Sequence, residues 1–232
     1  MKPQPIFPGS RPLRILAVSD TVARILYQPR VKNLVGSIDL LLGCGDLPYP
    51  YLEFLVTNLD PPHAFYVHGN HDIHEEGATA LTGPGGLRDL DRGTVHLRNT
   101  GLLIAGLEGC LRYHPNAPYQ YSQHEMRVRV VALTLRLLWN RARFGRYLDI
   151  LITHAPAAGI HDGPDAAHLG FKAFLSLMRR FHPRLLLHGH KHIYGPQVWQ
   201  TRYVATDVVN VYPFRLIEWD ATGIDFGRLI HC

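Results

Sequence analysis

The chain has 232 residues, 46% hydrophobic and 19% charged, a balance that supports an ordinary core and excludes intrinsic disorder and fibrous repeats. Lysine and arginine number 24 against 19 aspartates and glutamates, a formal net charge of +5 that suits anionic partners without demanding a nucleic acid. No apolar run approaches the roughly 18 residues of a membrane-spanning helix, and prolines in the opening MKPQPIFPGSRPLR interrupt the stretch a signal peptide would need, so a soluble cytoplasmic protein without a membrane partner is expected. The three cysteines, Cys44, Cys110 and Cys232, are far apart and lack CxxC spacing, so neither a disulfide framework nor a structural zinc site is expected. Histidine is the unusual residue, with 15 copies, and its placement matters more than its number.

In chain order, short apolar runs of strand length fall at Leu13–Ser19, Ile38–Gly43, Ala64–Val67, Leu102–Leu107, Leu148–Thr153 and Arg184–Leu187. These runs are continuous, not alternating, which suits strands covered on both faces. Helices are expected at Tyr49–Leu59, Ser122–Phe144 and Gly170–Phe181. Closely spaced short strands then follow, around Val198 and at Tyr203–Val211, Phe214–Trp219 and Gly223–Arg228, predicting an antiparallel finish to a mixed sheet. The class is α/β. With no repeat, low-complexity tract or hinge-like linker, one domain over residues 1–232 is expected, with 1–12 as a flexible arm. The Ser122–Phe144 segment places Arg127, Arg129, Arg136, Arg141 and Arg143 among Val, Leu and Trp139, which reads as an amphipathic helix with a basic, solvated outer face.

In open α/β sheets, function collects at the carboxyl ends of strands. Five of the six apolar runs open directly into Asp, Asn or His: Asp20, Gly45-Asp46, His68-Gly69-Asn70-His71-Asp72, His154, and His188-Gly189-His190-Lys191-His192. Each has a bland explanation by itself. Asp20 resembles a helix N-cap, His154 a hydrogen-bonded core histidine, and Gly69–Asp72 a turn, while His190 and His192 would point oppositely along a continuing strand. Their recurrence at successive strand ends favours a shared metal site, because these side chains supply oxygen and imidazole donors for divalent cations.

With these residues in view, the chain resembles the calcineurin-like metallophosphoesterases, whose ordered blocks are Asp-x-His, Gly-Asp, Gly-Asn-His-Asp/Glu, a later His, and Gly-His-x-His. The match spans Leu13 to His192 in the same order. It implies a four-layer αββα sandwich of two mixed β-sheets flanked by helices, with metals at one end. By the same resemblance, Asp46 bridges two cations; Asn70, His154 and His190 complete one shell; Asp20 and His192 serve the other. His71 is implied as the catalytic histidine, and Asp72 as a partner that orients it. One block departs: Asp20-Thr21-Val22 carries valine where the family has histidine, weakening the first metal position unless a neighbour such as His74 substitutes.

The implied activity is phosphoester hydrolysis, phosphodiesters ahead of monoesters, by metal-activated hydroxide, with one or two divalent ions (Mn²⁺, Fe²⁺/Fe³⁺, Zn²⁺, Co²⁺ or Ni²⁺) and a small-molecule phosphoester substrate. The rival is a non-catalytic metal-binding interaction module on the same fold, favoured by Val22 and opposed by the retained His71. A nucleic-acid partner draws on the basic pI and the arginine-rich helix but lacks a recognition motif. The loop Glu108–Tyr121, with Arg112 and three tyrosines, and the segment Leu47–Tyr51 are candidate substrate walls that name no substrate. Cys44, beside Asp46, is expected to be a buried strand-end residue.

Overall fold

The computed structural model describes residues 11–72, 83–220 and 223–226. One sheet is built from β1 (Leu13–Val18), β2 (Leu40–Gly43), β3 (His63–Tyr66), β4 (Arg88–Asp89), β13 (Phe214–Trp219) and β14 (Ile224–Asp225), in the order β14-β13-β1-β2-β3-β4. The second contains β5 (Thr94–His96), β6 (Leu103–Leu107), β9 (Ile150–Thr153), β10 (Leu185–His188), β11 (Gln200–Tyr203) and β12 (Thr206–Asn210), in the order β11-β12-β10-β9-β6-β5. A small parallel pair, β7 (Cys110–Leu111) and β8 (Gln120–Tyr121), lies apart from both. Each large sheet has a parallel centre, β1-β2-β3-β4 in one and β12-β10-β9-β6 in the other. Antiparallel strands close the edges: β13 and β14 beyond β1, β11 beyond β12, and β5 beyond β6.

The layers follow from side-chain alternation along strands. In β1, Leu13, Ile15 and Ala17 join the central cluster, with Leu40 and Leu42 of β2, Ile150 and Ile152 of β9, and Leu185 and Leu187 of β10. The intervening Leu16 and Val18 face outward against α1 (Val31–Val35) and α2 (Tyr49–Leu59), meeting Leu52, Leu55 and Leu59. On the second sheet, Leu151 and Leu186 turn away from the centre toward α3 (Gln123–Phe144) and α4 (Lys172–Phe181), where Leu133, Leu137, Phe174 and Leu177 are buried. Every inner strand therefore needs apolar residues at both parities, as its continuous apolar run shows. The result is a four-layer αββα sandwich of two mixed sheets.

The long helix α3 is framed by local chemistry. Ser122 accepts from the Glu125 amide at 3.2 Å while Glu125 accepts from the Ser122 amide at 2.6 Å, a reciprocal capping box. Gly145 ends it in the left-handed region at φ 78°, its amide returning to the Arg141 carbonyl.

Several sequence expectations shift. Strand pairing begins at Gln200, not around Val198, and the Tyr203–Val211 run breaks at a turn between β11 and β12. The finish is antiparallel only in part, since β12 lies parallel to β10. Within the expected N-terminal arm, Arg11 is held by Asp39, with Nη1 2.9 Å from Oδ2, while residues 1–10 lie outside the described residues, as do Cys232, His74 and the last residues of the Gly223–Arg228 run. Cys44 and Cys110 are free and buried, and no described helix is long and apolar enough to cross a membrane.

Leu137 is fully buried under α3, whereas Leu135 on the same helix is 70% exposed. Leu137→Ala is expected to cost roughly 2–5 kcal/mol in urea denaturation. Leu135→Ala is expected to stay within about 0.5 kcal/mol.

Candidate metal centre

The carboxyl ends of the two sheets meet and interlock through backbone and side-chain hydrogen bonds. Within the first sheet the Asp20 amide, just past β1, donates to the Gly45 carbonyl at 3.1 Å, and within the second the Gly189 amide, past β10, donates to the His154 carbonyl at 3.0 Å. Between the sheets, His154 Nδ1 meets the Cys44 carbonyl and the His190 amide donates to the Asp20 carboxylate. Asp20 (φ 64°), Asp46 (φ 57°) and His190 (φ 68°) all occupy the left-handed region. That conformation is costly for residues with a Cβ and typical of functional sites, and here it recurs at three strand ends. Two glycines allow the close approach. A Cβ on Gly69 would overlap the Asp46 carboxylate, and one on Gly189 would overlap the Ser19 hydroxyl and the Asp20 carboxylate.

His154 is completely buried at the centre. Its Nδ1 lies 2.9 Å from the Cys44 carbonyl, which only accepts, so Nδ1 carries the proton and Nε2 faces the cleft. Around Nε2 stand Asn70 Oδ1 at 3.0 Å, His190 Nδ1 at 3.0 Å and Asp46 Oδ2 at 3.3 Å. His190 is oriented by the same logic. Its Nε2 donates to the Ala167 carbonyl at 2.6 Å, leaving the Nδ1 lone pair toward His154. Asn70 is turned by Tyr113, whose hydroxyl accepts from Nδ2 at 2.9 Å, so that its carbonyl oxygen points inward.

Four electron-pair donors thus face one another, an arrangement that requires a positive charge between them. Adjacent ligands of a cation bound at about 2.1 Å stand roughly 3.0–3.4 Å apart, so the donor set fits a divalent ion. The electrostatics of the cluster point the same way. Burial disfavours charge on His154, but the Asp46 carboxylate, Asp20 and the Cys44 carbonyl outweigh it and raise its pKa to about 9. Burial disfavours charge on Asp46 too, yet His154 and the His71 amide hold it at about 2. Burial and the neighbouring His154 push His190 down to about 3, and burial raises Asp20. The field that raises the His154 pKa is the field that would retain a cation at this point.

Asp20, Asp46, Asn70, His71, His190 and His192 all line one cleft of about 660 Å³. Asp20 reaches the quartet through its carboxylate, which accepts from the His190 amide at 2.9 and 3.0 Å. His192 stands outside the quartet on the cleft wall, stacked on Tyr212 at 4.3 Å with Nδ1 3.2 Å from the Tyr194 hydroxyl. The His71 backbone is fixed, its amide donating to Asp46 Oδ1 at 2.7 Å, while the residue itself is exposed to the cleft. Val22 packs against the cluster beneath α1 and α2, so this position adds neither a donor nor a lining group to the cleft.

Asp72 differs from its expected placement. Its oxygens accept from the amides of Gly69 at 2.7 Å, Leu47 at 3.0 Å and Asp46 at 3.1 Å, and these bonds buckle two loops together instead of engaging the His71 imidazole. Arg129 also differs: it is not on a solvated face. With side-chain exposure of only 12%, it reaches Asp91 at 2.6 Å and Glu108 at 2.8 Å. Glu108 in turn holds His68 Nδ1 at 3.0 Å and the Tyr121 hydroxyl at 2.5 Å, bracing the strand that leads into Asn70. His68, Asp89 and Glu108 are spaced for a cation, but Arg129 already supplies the positive charge there. Sequence reasoning missed this network; Glu108, directly after an apolar run, was its one visible signal.

With this geometry established, the chain belongs to the calcineurin-like phosphoesterase family, whose model matches residues 13–194. A crystal structure with TM-score 0.63 and 16% identity matches over 93% of this chain and 98% of its own. The protein TT1561 of Thermus thermophilus matches with TM-score 0.62 and 17% identity over the same shares. Vacuolar Protein Sorting 29 from Cryptosporidium parvum gives TM-score 0.44 at 11% identity, over 94% and 97% of the two chains. At these identities the first two likenesses establish the fold. No curated protein matches the chain.

The three-amide buckle generates a prediction. Asp72→Ala leaves three backbone donors without their acceptor, and unfolding by urea is expected to show a loss of about 1–3 kcal/mol or more. Stability unchanged from wild type would show that the loops hold without it.

Proposed function

We propose that this chain is a metal-dependent phosphohydrolase that cleaves phosphoester bonds, phosphodiesters ahead of monoesters. The observation carrying this reading is the convergence of Asp46, Asn70, His154 and His190 on one point, beside an exposed histidine in the same cleft. A cation held by these residues would neutralise charge on phosphoryl oxygens and bring the pKa of a water toward neutrality.

The chain's own residues supply the rest. Asp46 offers Oδ2 to the quartet while Oδ1 fixes the His71 amide, so the metal position and the His71 backbone keep a constant spacing. His71 delivers a proton to the leaving oxygen, a contribution of roughly 10²- to 10⁴-fold. The diester preference draws support from the lining: among the described residues no arginine faces the cleft, and the Lys191 ammonium is directed to the Asp162 carbonyl at 2.6 Å. A monoester dianion asks for more positive charge than a diester monoanion. Asp20 and His192 would hold a second cation, and more weakly, because Val22 brings no donor to that end.

That shortage is also the observation favouring the second reading, a metal-binding interaction module without turnover. The two readings separate when metal-stripped protein is re-supplied with Mn²⁺, Co²⁺, Ni²⁺, Zn²⁺ or Mg²⁺ and assayed on aryl phosphodiesters and monoesters. Restored diester cleavage is expected, with His71→Ala retaining its metal and losing at least about 100-fold in kcat. Bound metal with no turnover under any ion would support the interaction module. Calorimetric titration is expected to find one tight equivalent and a second at least about tenfold weaker, the loss of one imidazole ligand being worth that much. Two equally tight equivalents would show that the position of Val22 has been compensated.

A further inference from the structure

α3 has two apolar faces. Met126, Val130, Leu133 and Leu137 are buried against the second sheet and α4. On the opposite side, Val128, Val131, Leu135, Leu138 and Trp139 are 44–70% exposed, and nothing among the described residues covers them. At about 100° per residue these five fall within an arc of roughly 100°, nearly diametrically opposite the buried stripe. Arginines line both margins: Arg136 and Arg143 on one side, Arg127 and Arg141 on the other, all exposed. The helix contains a single acidic residue, Glu125, in its first turn and already paired with Arg112 at 2.9 Å. The outer face is therefore apolar along its centre and basic along its edges, a departure from the basic, solvated face expected from sequence.

We propose that the outer face of α3 docks on an anionic lipid surface. The helix of 22 residues extends about 33 Å along the surface of the molecule. Val, Leu and Trp in the stripe enter the interfacial layer, while arginines on both flanks lay their methylenes along it and leave their guanidinium groups at lipid phosphates. Charge selects this occupant over a second copy of the chain. Two such helices packed face to face would bring their own arginine rows together, with Glu125 the one acid available to offset them. A negative surface meets Arg127, Arg136 and Arg143 at once, while Arg141 already donates to the Gly145 carbonyl at the end of the helix. The proposal stands against the expectation of no membrane partner, and it concerns a peripheral contact, not a span.

Co-sedimentation of the full chain with vesicles tests this, comparing phosphatidylcholine alone with phosphatidylcholine mixed with phosphatidylglycerol. Binding to the anionic vesicles is expected at least about tenfold more tightly than to the neutral ones, weakening as salt shortens the screening length. Trp139 fluorescence should shift to the blue on binding, since Trp219 is fully buried and Trp199 is packed against the central cluster. Leu135→Glu is expected to abolish sedimentation while leaving the fold and hydrolysis of a soluble aryl phosphodiester unchanged. Arg127→Glu with Arg136→Glu is expected to remove the anionic preference. Failure to bind either vesicle, or binding that Leu135→Glu leaves intact, would overturn the proposal. So would a dimer in solution that Leu135→Glu dissociates, or binding to an acidic heptad peptide in place of vesicles.

Discussion

Everything at the cleft depends on the hydrogen bond between the Cys44 carbonyl and His154 Nδ1, 2.9 Å long and wholly buried. It joins the end of the first sheet to the end of the second and settles which imidazole nitrogen faces inward. With Nδ1 committed to a carbonyl, Nε2 must present its lone pair to Asp46, Asn70 and His190. A fully neutral or anionic set of acceptors at 3.0–3.3 Å would repel itself, so folding of the sandwich creates a demand for positive charge at this point. Proton and metal ion are competing answers to that demand, and the first reflects the same field that would retain the second.

The site is assembled under backbone strain. Asp20, Asp46 and His190 each adopt a left-handed conformation that an ordinary strand end would avoid. Such residues persist only when their surroundings over-determine them. Here the surroundings are specific. Asp72 holds the amides of Gly69, Asp46 and Leu47, the Asp20 carboxylate holds the His190 amide, and Glu108 links His68 to Arg129. Asp72 and Glu108, which touch no cation, thus fix the positions of side chains that would, and Asp20 fixes His190 in the same way. This explains why several carboxylates cluster near the centre without all being ligands.

Much of this was legible in the residues. The apolar runs marked the inner strands because both sheet faces are covered, and polar residues at the run ends marked the cleft. What escaped has physical reasons. β4, β7 and β8 are two residues long and carry no period of their own; their extended form comes from a partner's ladder. α1, with five residues, is too short to show a stripe. Arg129 lies in a helix whose other arginines are exposed, and only the fold reveals that its guanidinium turns inward to Asp91 and Glu108. Composition likewise hid the second apolar face of α3, because valine and leucine at both faces of one helix read as a single hydrophobic segment.

The central claim is that the two sheets close on a cation position defined by Asp46, Asn70, His154 and His190. Anomalous diffraction from crystals soaked in Mn²⁺ or Zn²⁺ tests it directly. The account predicts a peak within coordination distance, about 2.0–2.2 Å, of His154 Nε2 and His190 Nδ1. An empty quartet, or a strongest peak between His68 and Glu108, would contradict it.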